Sequence, residues 1–180
     1  MTVPYSHNEN SLMPLMTANN YPSPVVITPS TEYSTPLYAA FHLCDRNSGT
    51  RWFAANGITT GYIIIYTGGP YWSVTSYTVT GCDSVGSCTP KDWTMLGSND
   101  GTSWTLLHTV TGETGWTTAD MRTYNINLDF GFSYYKMNIT ANDGYVGLMG
   151  FSQLELIGTL YTTPTLYIPF RGRDRFLNYI

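Results

Sequence analysis

The chain has 180 residues, of which 42% are hydrophobic, 15% aromatic and only 11% charged, and its formal net charge is −4. This composition differs from that of disordered chains, which carry many charges and few aromatic residues. The acidic balance excludes the basic face that a nucleic-acid-binding protein needs, and the length favours one domain with a hydrophobic core.

The first twenty residues contain Pro4, Pro14 and several asparagines and have little hydrophobic periodicity. We therefore expect residues 1–20 to form an extended N-terminal arm rather than part of the core. Within it, Leu12, Met13, Leu15 and Met16 make a short apolar cluster of the kind that docks onto partners. No secretory signal is visible, and the apolar run from Tyr62 to Tyr66 has only strand length. The sequence thus predicts synthesis without standard export and no membrane span.

The rest of the chain consists of short runs of alternating hydrophobicity between Gly, Pro, Asn and Asp turns, with almost no helix signal. We expect strands at 25–28, 61–67, 75–80, 93–96, 104–107, 121–130 and 135–139, and a closing strand around Leu154 and Leu156. Eight or so short strands predict an all-β fold, a β-sandwich of the jelly-roll type.

Two of these runs, Trp93–Leu96 and Trp104–Leu107, flank the sequence Asn99-Asp100-Gly101. These three residue types tolerate positive φ, so the two runs are predicted to pair as a hairpin. Alternation with polar residues then predicts a buried face made of Trp104, Leu106, His108 and Val110. Both tryptophans are expected in the core.

The segment Pro90-Lys91-Asp92-Trp93-Thr94, continuing through Gly97-Ser98-Asn99-Asp100-Gly101 to Trp104, resembles the central signature of the discoidin, or coagulation factor F5/8 type C, family, which includes many carbohydrate-binding modules. Residues 40–52 are similar to the early loop of that family, and residues 134–140 and 151–158 are similar to its last two strands. The resemblance implies a discoidin-like β-sandwich over residues 21–158, with the arm 1–20 before it and a C-terminal extension, 159–180, after it.

The C-terminal extension lies outside the family pattern. It is apolar, and Pro164 and Pro169 exclude a central strand there. An apolar segment of this kind is expected to be covered, either by its own sandwich or by a neighbouring subunit or another virion protein.

The three cysteines have no metal-site spacing. Cys44 takes the place of a residue that is usually large and apolar in the early loop of the family that the chain resembles, which implies a buried free thiol. Cys82 and Cys88 bracket five residues, and the sequence leaves open whether they form a loop disulfide or a reduced pair.

Catalysis has little support in the sequence. His7, His42 and His108 lie in the arm, the early loop and an alternating strand, with no nucleophile at a recognised spacing. The acidic residues have the positions of turn or strand-end residues. We therefore expect no enzyme activity.

The resemblance implies a calcium-type cation site, built from Asp45, Asn47 and Thr50 of the early loop and one side chain of the last block. The acidic residue expected in that block falls at Gln153, which weakens the site by one charge. The alternative is a loop in which Asp45 accepts hydrogen bonds from backbone amides.

The resemblance also implies ligand binding by loops at the end of the sandwich near the early loop. The candidates are Arg51, Phe53 and Asn56 in one loop, Tyr71 and Trp72 in another, and Asn142, Asp143 and Tyr145 late in the chain. Aromatic rings stack on sugar faces, and Arg and Asn hydrogen-bond to hydroxyl groups. Trp52 is instead expected in the core.

Together these features favour a non-catalytic structural, attachment or decoration protein of a bacteriophage or similar virion, assembled in the host cytoplasm. Its partners would be other virion proteins or copies of itself, through residues 1–20 and 159–180, and cell-surface glycans. The alternative is a free carbohydrate-binding module or lectin of a secreted, extracellular bacterial protein.

Overall fold

The computed structural model describes residues 8–82, 86–127 and 130–161. These residues form the strands β1 (Val26–Pro29), β2 (Trp52–Phe53), β3 (Gly61–Tyr66), β4 (Tyr71–Thr80), β5 (Pro90–Ser98), β6 (Thr105–Val110), β7 (Met121–Asn125), β8 (Tyr134–Asn142), β9 (Gly150–Phe151) and β10 (Gln153–Tyr161). Two short 3-10 helices, Ala40–Cys44 and Gly86–Cys88, are the helices in this part of the chain. None of them could cross a lipid bilayer.

The strands form two principal antiparallel sheets. The five-stranded sheet has the order β1-β3-β8-β5-β6, and the three-stranded sheet has the order β10-β4-β7. β2 and β9 add a short two-stranded ladder. The predicted all-β sandwich is confirmed.

The core lies between the two sheets. Alternate residues of the strands point into it, among them Ile63 and Ile65 of β3, Met137 and Ile139 of β8, and Leu154 and Leu156 of β10. Two buried hydrogen bonds join the sheets: Trp93 Nε1 donates to Tyr77 Oη at 2.9 Å, and the Tyr135 hydroxyl donates to the Trp72 carbonyl. Burial raises the pKa of both tyrosines, so both remain neutral.

The predicted hairpin is confirmed, but its buried face is not as predicted. Met95 pairs with His108 and Leu96 pairs with Leu106, so Leu107 is an extra residue in β6. This bulge interrupts the alternation. Leu106 is therefore exposed and Leu107 packs against the core. Trp104 is half-buried under the Lys136 ammonium group rather than in the core.

The N-terminal segment also departs from the prediction of an arm outside the core. Met13 and Met16 are buried in the main core. The Leu12 amide donates to the Leu156 carbonyl at 2.7 Å, and the Met16 amide donates to the Cys44 carbonyl at 3.0 Å. Apolar side chains and backbone pairing thus hold residues 8–20 on the sandwich, although the segment has no strand periodicity.

The cysteines are all buried free thiols. The prediction for Cys44 is confirmed, and burial raises the pKa of its thiol. Of the two alternatives for Cys82 and Cys88, the structure has the reduced pair, with Cys88 Sγ 2.9 Å from Cys82 Sγ. The C-terminal extension lies outside the described residues except for 159–161.

The sandwich has two ends that differ in their loops. β4 ends at Thr80 opposite Gln153, the first residue of β10; we call this the upper end. β4 begins at Tyr71 opposite Tyr161, the last residue of β10; we call this the lower end.

Candidate functional site

A small apolar cluster supports the loops of the upper end. Phe53, Cys82 and Cys88 are buried together, apart from the main core, and Tyr38 and Leu148 pack against them. Phe53 reaches this place because β2 pairs with β9, which sets Phe53 opposite Gly150. The loops around this cluster are therefore supported by buried apolar contacts.

Backbone hydrogen bonds join three of these loops, residues 30–38, 51–58 and 143–149, which we call the upper rim. Tyr33 N–H donates to the Phe53 carbonyl at 2.9 Å. Gly57 N–H donates to the Gly147 carbonyl at 2.6 Å. Tyr145 N–H donates to the Ser87 carbonyl at 3.1 Å. The rim side chains are thus presented by mutually fixed loops, an arrangement that would lower the entropy cost of binding a ligand there.

Aromatic rings run across one side of the upper rim. The rings of Tyr33 and Tyr38 have centroids 5.7 Å apart, and those of Tyr38 and Phe53 are 4.9 Å apart. The Arg51 guanidinium lies 5.8 Å from the Phe53 ring centroid, and its Nη2 donates to the Gly49 carbonyl at 3.1 Å. Tyr33 is 49% exposed, so part of its ring faces solvent.

The other side of the upper rim carries Asn56, Ile58, Tyr145 and Val146, all exposed, with Val146 at 86%. The Tyr145 ring lies over Gly147, where an added Cβ would stand 2.7 Å from Tyr145 Cε1. Gly147 therefore lets this ring fold back over its own loop. The result is an exposed aromatic and apolar surface beside an amide side chain.

Three of the predicted ligand residues hold loops in place through contacts within the protein. Phe53 is buried in the small cluster. The Asn142 amide is buried, and its Nδ2 donates to the carbonyls of Tyr145 and Leu148 at 2.6 and 2.9 Å. Asp143 Oδ2 accepts the Gly115 amide at 3.0 Å. Their contribution in this structure is to hold the late loop in place.

Tyr71 and Trp72 do not lie at the end of the sandwich where their resemblance to family loops predicts them. They begin β4 and therefore lie at the lower end, away from the other candidates. Trp72 is only 3% exposed, because its bridge to Phe132 places it in the core. Trp72 is therefore a buried strand residue instead of the loop residue that the sequence predicted as a ligand contact.

The structure adds rim residues that the sequence analysis does not name, namely Tyr33, Tyr38, Ile58 and Val146. They lie in loops without periodicity or a motif. The available signal is local: Tyr33 follows Ser30-Thr31-Glu32, and Tyr145-Val146 follows Asn142-Asp143-Gly144. A large apolar residue in such a turn sequence lies in a surface loop and is therefore a candidate for an exposed position.

The four residues predicted as metal ligands do come together at the upper end. Thr50 Oγ1 donates to the Asp45 carboxylate, 2.7 Å from Oδ2. The backbone N–H of Asn47 donates to Asp45 Oδ1 at 3.0 Å. Gln153 Nε2 donates to the same Oδ1 at 3.0 Å and to the Asn47 carbonyl at 2.9 Å.

These residues do not fit a bound cation as they are arranged. A calcium ion requires six to eight oxygen ligands around it. Here the Gln153 amide nitrogen, which is a donor only, points into the group of oxygens. The described residues contain no group of three or more His, Cys, Asp or Glu side chains suited to a metal. The arrangement matches the alternative of a hydrogen-bonded loop.

The loop also contains a His–carboxylate pair, but not in a catalytic arrangement. His42 Nδ1 lies 2.7 Å from Asp45 Oδ2. Its other ring nitrogen, Nε2, faces the Pro36 carbonyl at 2.9 Å. Nucleophilic catalysis by such a pair requires a hydroxyl or thiol at that nitrogen. The pair therefore serves to fix the loop.

Comparisons with solved structures show the fold. The chain is similar to the F5/8 type C domain of a Bacteroides fragilis protein, with 16% identity over 76% of this chain and 92% of that chain and a TM-score of 0.63. It is similar to chitosan-binding module 1 of a chitosanase/glucanase from Paenibacillus sp. IK-5, with 20% identity over 82% and 98% of the two chains and a TM-score of 0.63.

A third similar structure is the family 32 carbohydrate-binding module of NanJ from Clostridium perfringens in complex with galactose. Its identity is 16% over 73% of this chain and 92% of that chain, and the TM-score is 0.59. No protein-family model and no curated protein matches the sequence. The predicted discoidin-like jelly-roll fold is confirmed, and at these identities the likeness shows the fold alone.

Proposed function

We propose that this chain is a non-catalytic glycan-binding module whose upper rim contacts the saccharide. The observation that carries the proposal is the set of exposed Tyr33, Asn56 and Tyr145 side chains, together with Arg51, on loops that hydrogen bonds join. Tyrosine rings stack on the apolar faces of pyranoses, and arginine and asparagine donate to their hydroxyl groups. Similar folds include modules described as chitosan-binding or as complexes with galactose, which supports this ligand class.

The architecture suits binding more than turnover. The rim is aromatic, and the two carboxylates in its loops are held by hydrogen bonds within the protein: Asp143 accepts the Gly115 backbone amide, and Glu32 accepts the Ala40 backbone amide and the Asn19 side-chain amide. Glycoside hydrolysis needs two carboxyl groups on either side of the bond that is cleaved. Mass spectrometry of saccharides incubated with the chain is expected to show no shortening.

A glycan array probed with the full chain tests the proposal, with galactose and chitosan oligosaccharides among its members. We expect selective binding, and we expect Tyr145→Ala and Tyr33→Ala each to weaken the affinity tenfold or more, which corresponds to about 1.4 kcal/mol. Tyr71→Ala, at the lower end, is the matched control and should bind as the native chain does. Absence of any saccharide binding, or equal affinity in the rim variants, would refute the proposal.

The virion role expected from the sequence is a second candidate. It is favoured by Leu160, which is exposed at the end of β10 and precedes the apolar residues Leu166, Tyr167, Ile168 and Phe170 in the sequence of the extension. The test is the solution mass of the full chain beside a chain that ends at Gly158. A larger assembly formed only by the full chain would support this role, and monomers in both cases would remove its main support.

A further inference from the structure

The most tightly organised polar group of the upper end surrounds Gln153, a residue that is only 1% exposed. Its Nε2 lies 2.7 Å from the His42 carbonyl, 3.0 Å from Asp45 Oδ1 and 2.9 Å from the Asn47 carbonyl. Three oxygens from one loop thus converge on a single nitrogen of the first residue of β10.

The orientation of this amide follows from the chemistry of its neighbours. Gln153 Oε1 accepts the backbone N–H of Arg46 at 3.1 Å. A backbone N–H can only donate, so the atom facing it must be the amide oxygen. The two carbonyls and the carboxylate can only accept, so the atom facing them must be the NH2 group. Flipping the amide would set its oxygen against three acceptors and its NH2 group against the Arg46 N–H donor, so all four contacts would become unfavourable.

The Asp45 carboxylate is fully satisfied by donors from the protein. Oδ2 is 2.7 Å from His42 Nδ1 and accepts a hydrogen bond from Thr50 Oγ1 at 2.7 Å, while Oδ1 accepts hydrogen bonds from the backbone N–H of Asn47 and from Gln153 Nε2. The negative charge in this loop is therefore balanced by N–H and O–H donors, and stabilisation by a metal ion is not required.

We propose that the Gln153 amide takes the place of a divalent cation in this loop, so that the loop folds independently of metal. The donor set carries the inference: one centre of partial positive charge is surrounded by carbonyl and carboxylate oxygens, as a calcium ion would be, but at 2.7–3.0 Å, the range of N–H···O hydrogen bonds, instead of the 2.3–2.6 Å of calcium ligation. A loop that is filled by the Gln153 amide and a loop that binds calcium would then differ by one functional group on one side chain.

The experiment is thermal unfolding of the full chain in EGTA and in calcium chloride. The native chain is expected to have the same Tm in both. Gln153→Glu removes the NH2 donors and places a second carboxylate against Asp45, which lowers the Tm in EGTA. The new oxygen completes a set of hard ligands, so calcium should raise the Tm of this variant by about 5–10 °C at 100 times its Kd.

Gln153→Met is the matched control, because it removes the donors and adds no charge. It is expected to lower the Tm equally in EGTA and in calcium. A saturable calcium-dependent rise in the Tm of the native chain would overturn the proposal, as would a Gln153→Glu variant that folds without responding to calcium. If that variant does not fold, calorimetric titration of the native chain with calcium chloride decides: no heat of binding supports the proposal, and a stoichiometric heat overturns it. None of these readouts depends on saccharide binding.

Discussion

Residues 8–20 are integral to the fold, and substitution of Met16 tests this directly. The Met16 side chain is 1% exposed and packs in the main core, whereas its neighbour Leu15 is 50% exposed. Met16→Ala removes a fully buried apolar side chain and leaves a cavity, so it should lower the free energy of unfolding by about 2–5 kcal/mol. The Leu15 side chain is already half exposed, so Leu15→Ala loses only part of the hydrophobic transfer free energy of a leucine. It should lower the free energy of unfolding by less than about 1 kcal/mol.

Urea unfolding followed by tryptophan fluorescence measures both variants. If the dependence of the unfolding free energy on urea concentration is unchanged, the urea concentration at the midpoint should be much lower for Met16→Ala than for Leu15→Ala. In thermal unfolding the difference corresponds to roughly 2–4 °C for each kcal/mol. Equal midpoints for the two variants would mean that this segment is a peripheral arm, and the reasoning from burial would fail.

Three further predictions concern single positions. Gly158→Ala should cost about 1–3 kcal/mol or more, because an added Cβ would overlap the Ser73 carbonyl across β4 and β10. Burial lowers the pKa of His108, whose Nδ1 lies 2.9 Å from the Tyr77 hydroxyl. The folded chain then binds fewer protons than the unfolded chain just below the ordinary histidine pKa of about 6.5, so its stability should fall as the pH drops through that range. Asp100→Ala should lower the Tm, because Asp100 Oδ1 accepts the amides of Thr102 and Ser103 in the hairpin turn.

Each of these has a conservative control. Gly49→Ala should be nearly neutral, since its added Cβ meets only the Asn47 side chain at 3.3 Å. His108→Gln should flatten the dependence of stability on pH near 6, and an unchanged slope would contradict the assignment to His108. Asp100→Asn keeps the accepting oxygen and should retain most of the Tm, so a loss equal to that of Asp100→Ala would count against the role of the turn.

The sequence was sufficient to predict an all-β sandwich and most of its strands, because alternation and turn residues are local signals. The hairpin at Asn99-Asp100-Gly101 is the clearest example, since the turn itself specifies the reversal. The bulge at Leu107 was not accessible in this way, because an extra residue in one strand is defined only by its partner strand. One such residue exchanged the environments of Leu106 and Leu107.

The candidate site was less predictable because it depends on long-range packing. Trp72 lies near the start of a strand, and the sequence around it contains no signal that distinguishes a tryptophan of the core from one of the rim. The loop around Asp45 was predicted through resemblance to bind a cation, but the direction of the Gln153 amide depends on Arg46, more than one hundred residues earlier in the chain. Hydrogen bonds between residues so far apart in the chain cannot be predicted from motifs or from hydrophobic periodicity.

The most direct test of the binding surface is a titration of the 15N-labelled full chain with the strongest saccharide from the array, followed by amide chemical shifts. The shifts are expected to concentrate in residues 30–38, 51–58 and 143–149, with Tyr71 and its neighbours unchanged. Shifts confined to the lower end, or no shifts at saturating saccharide, would contradict the assignment of the upper rim as the binding surface.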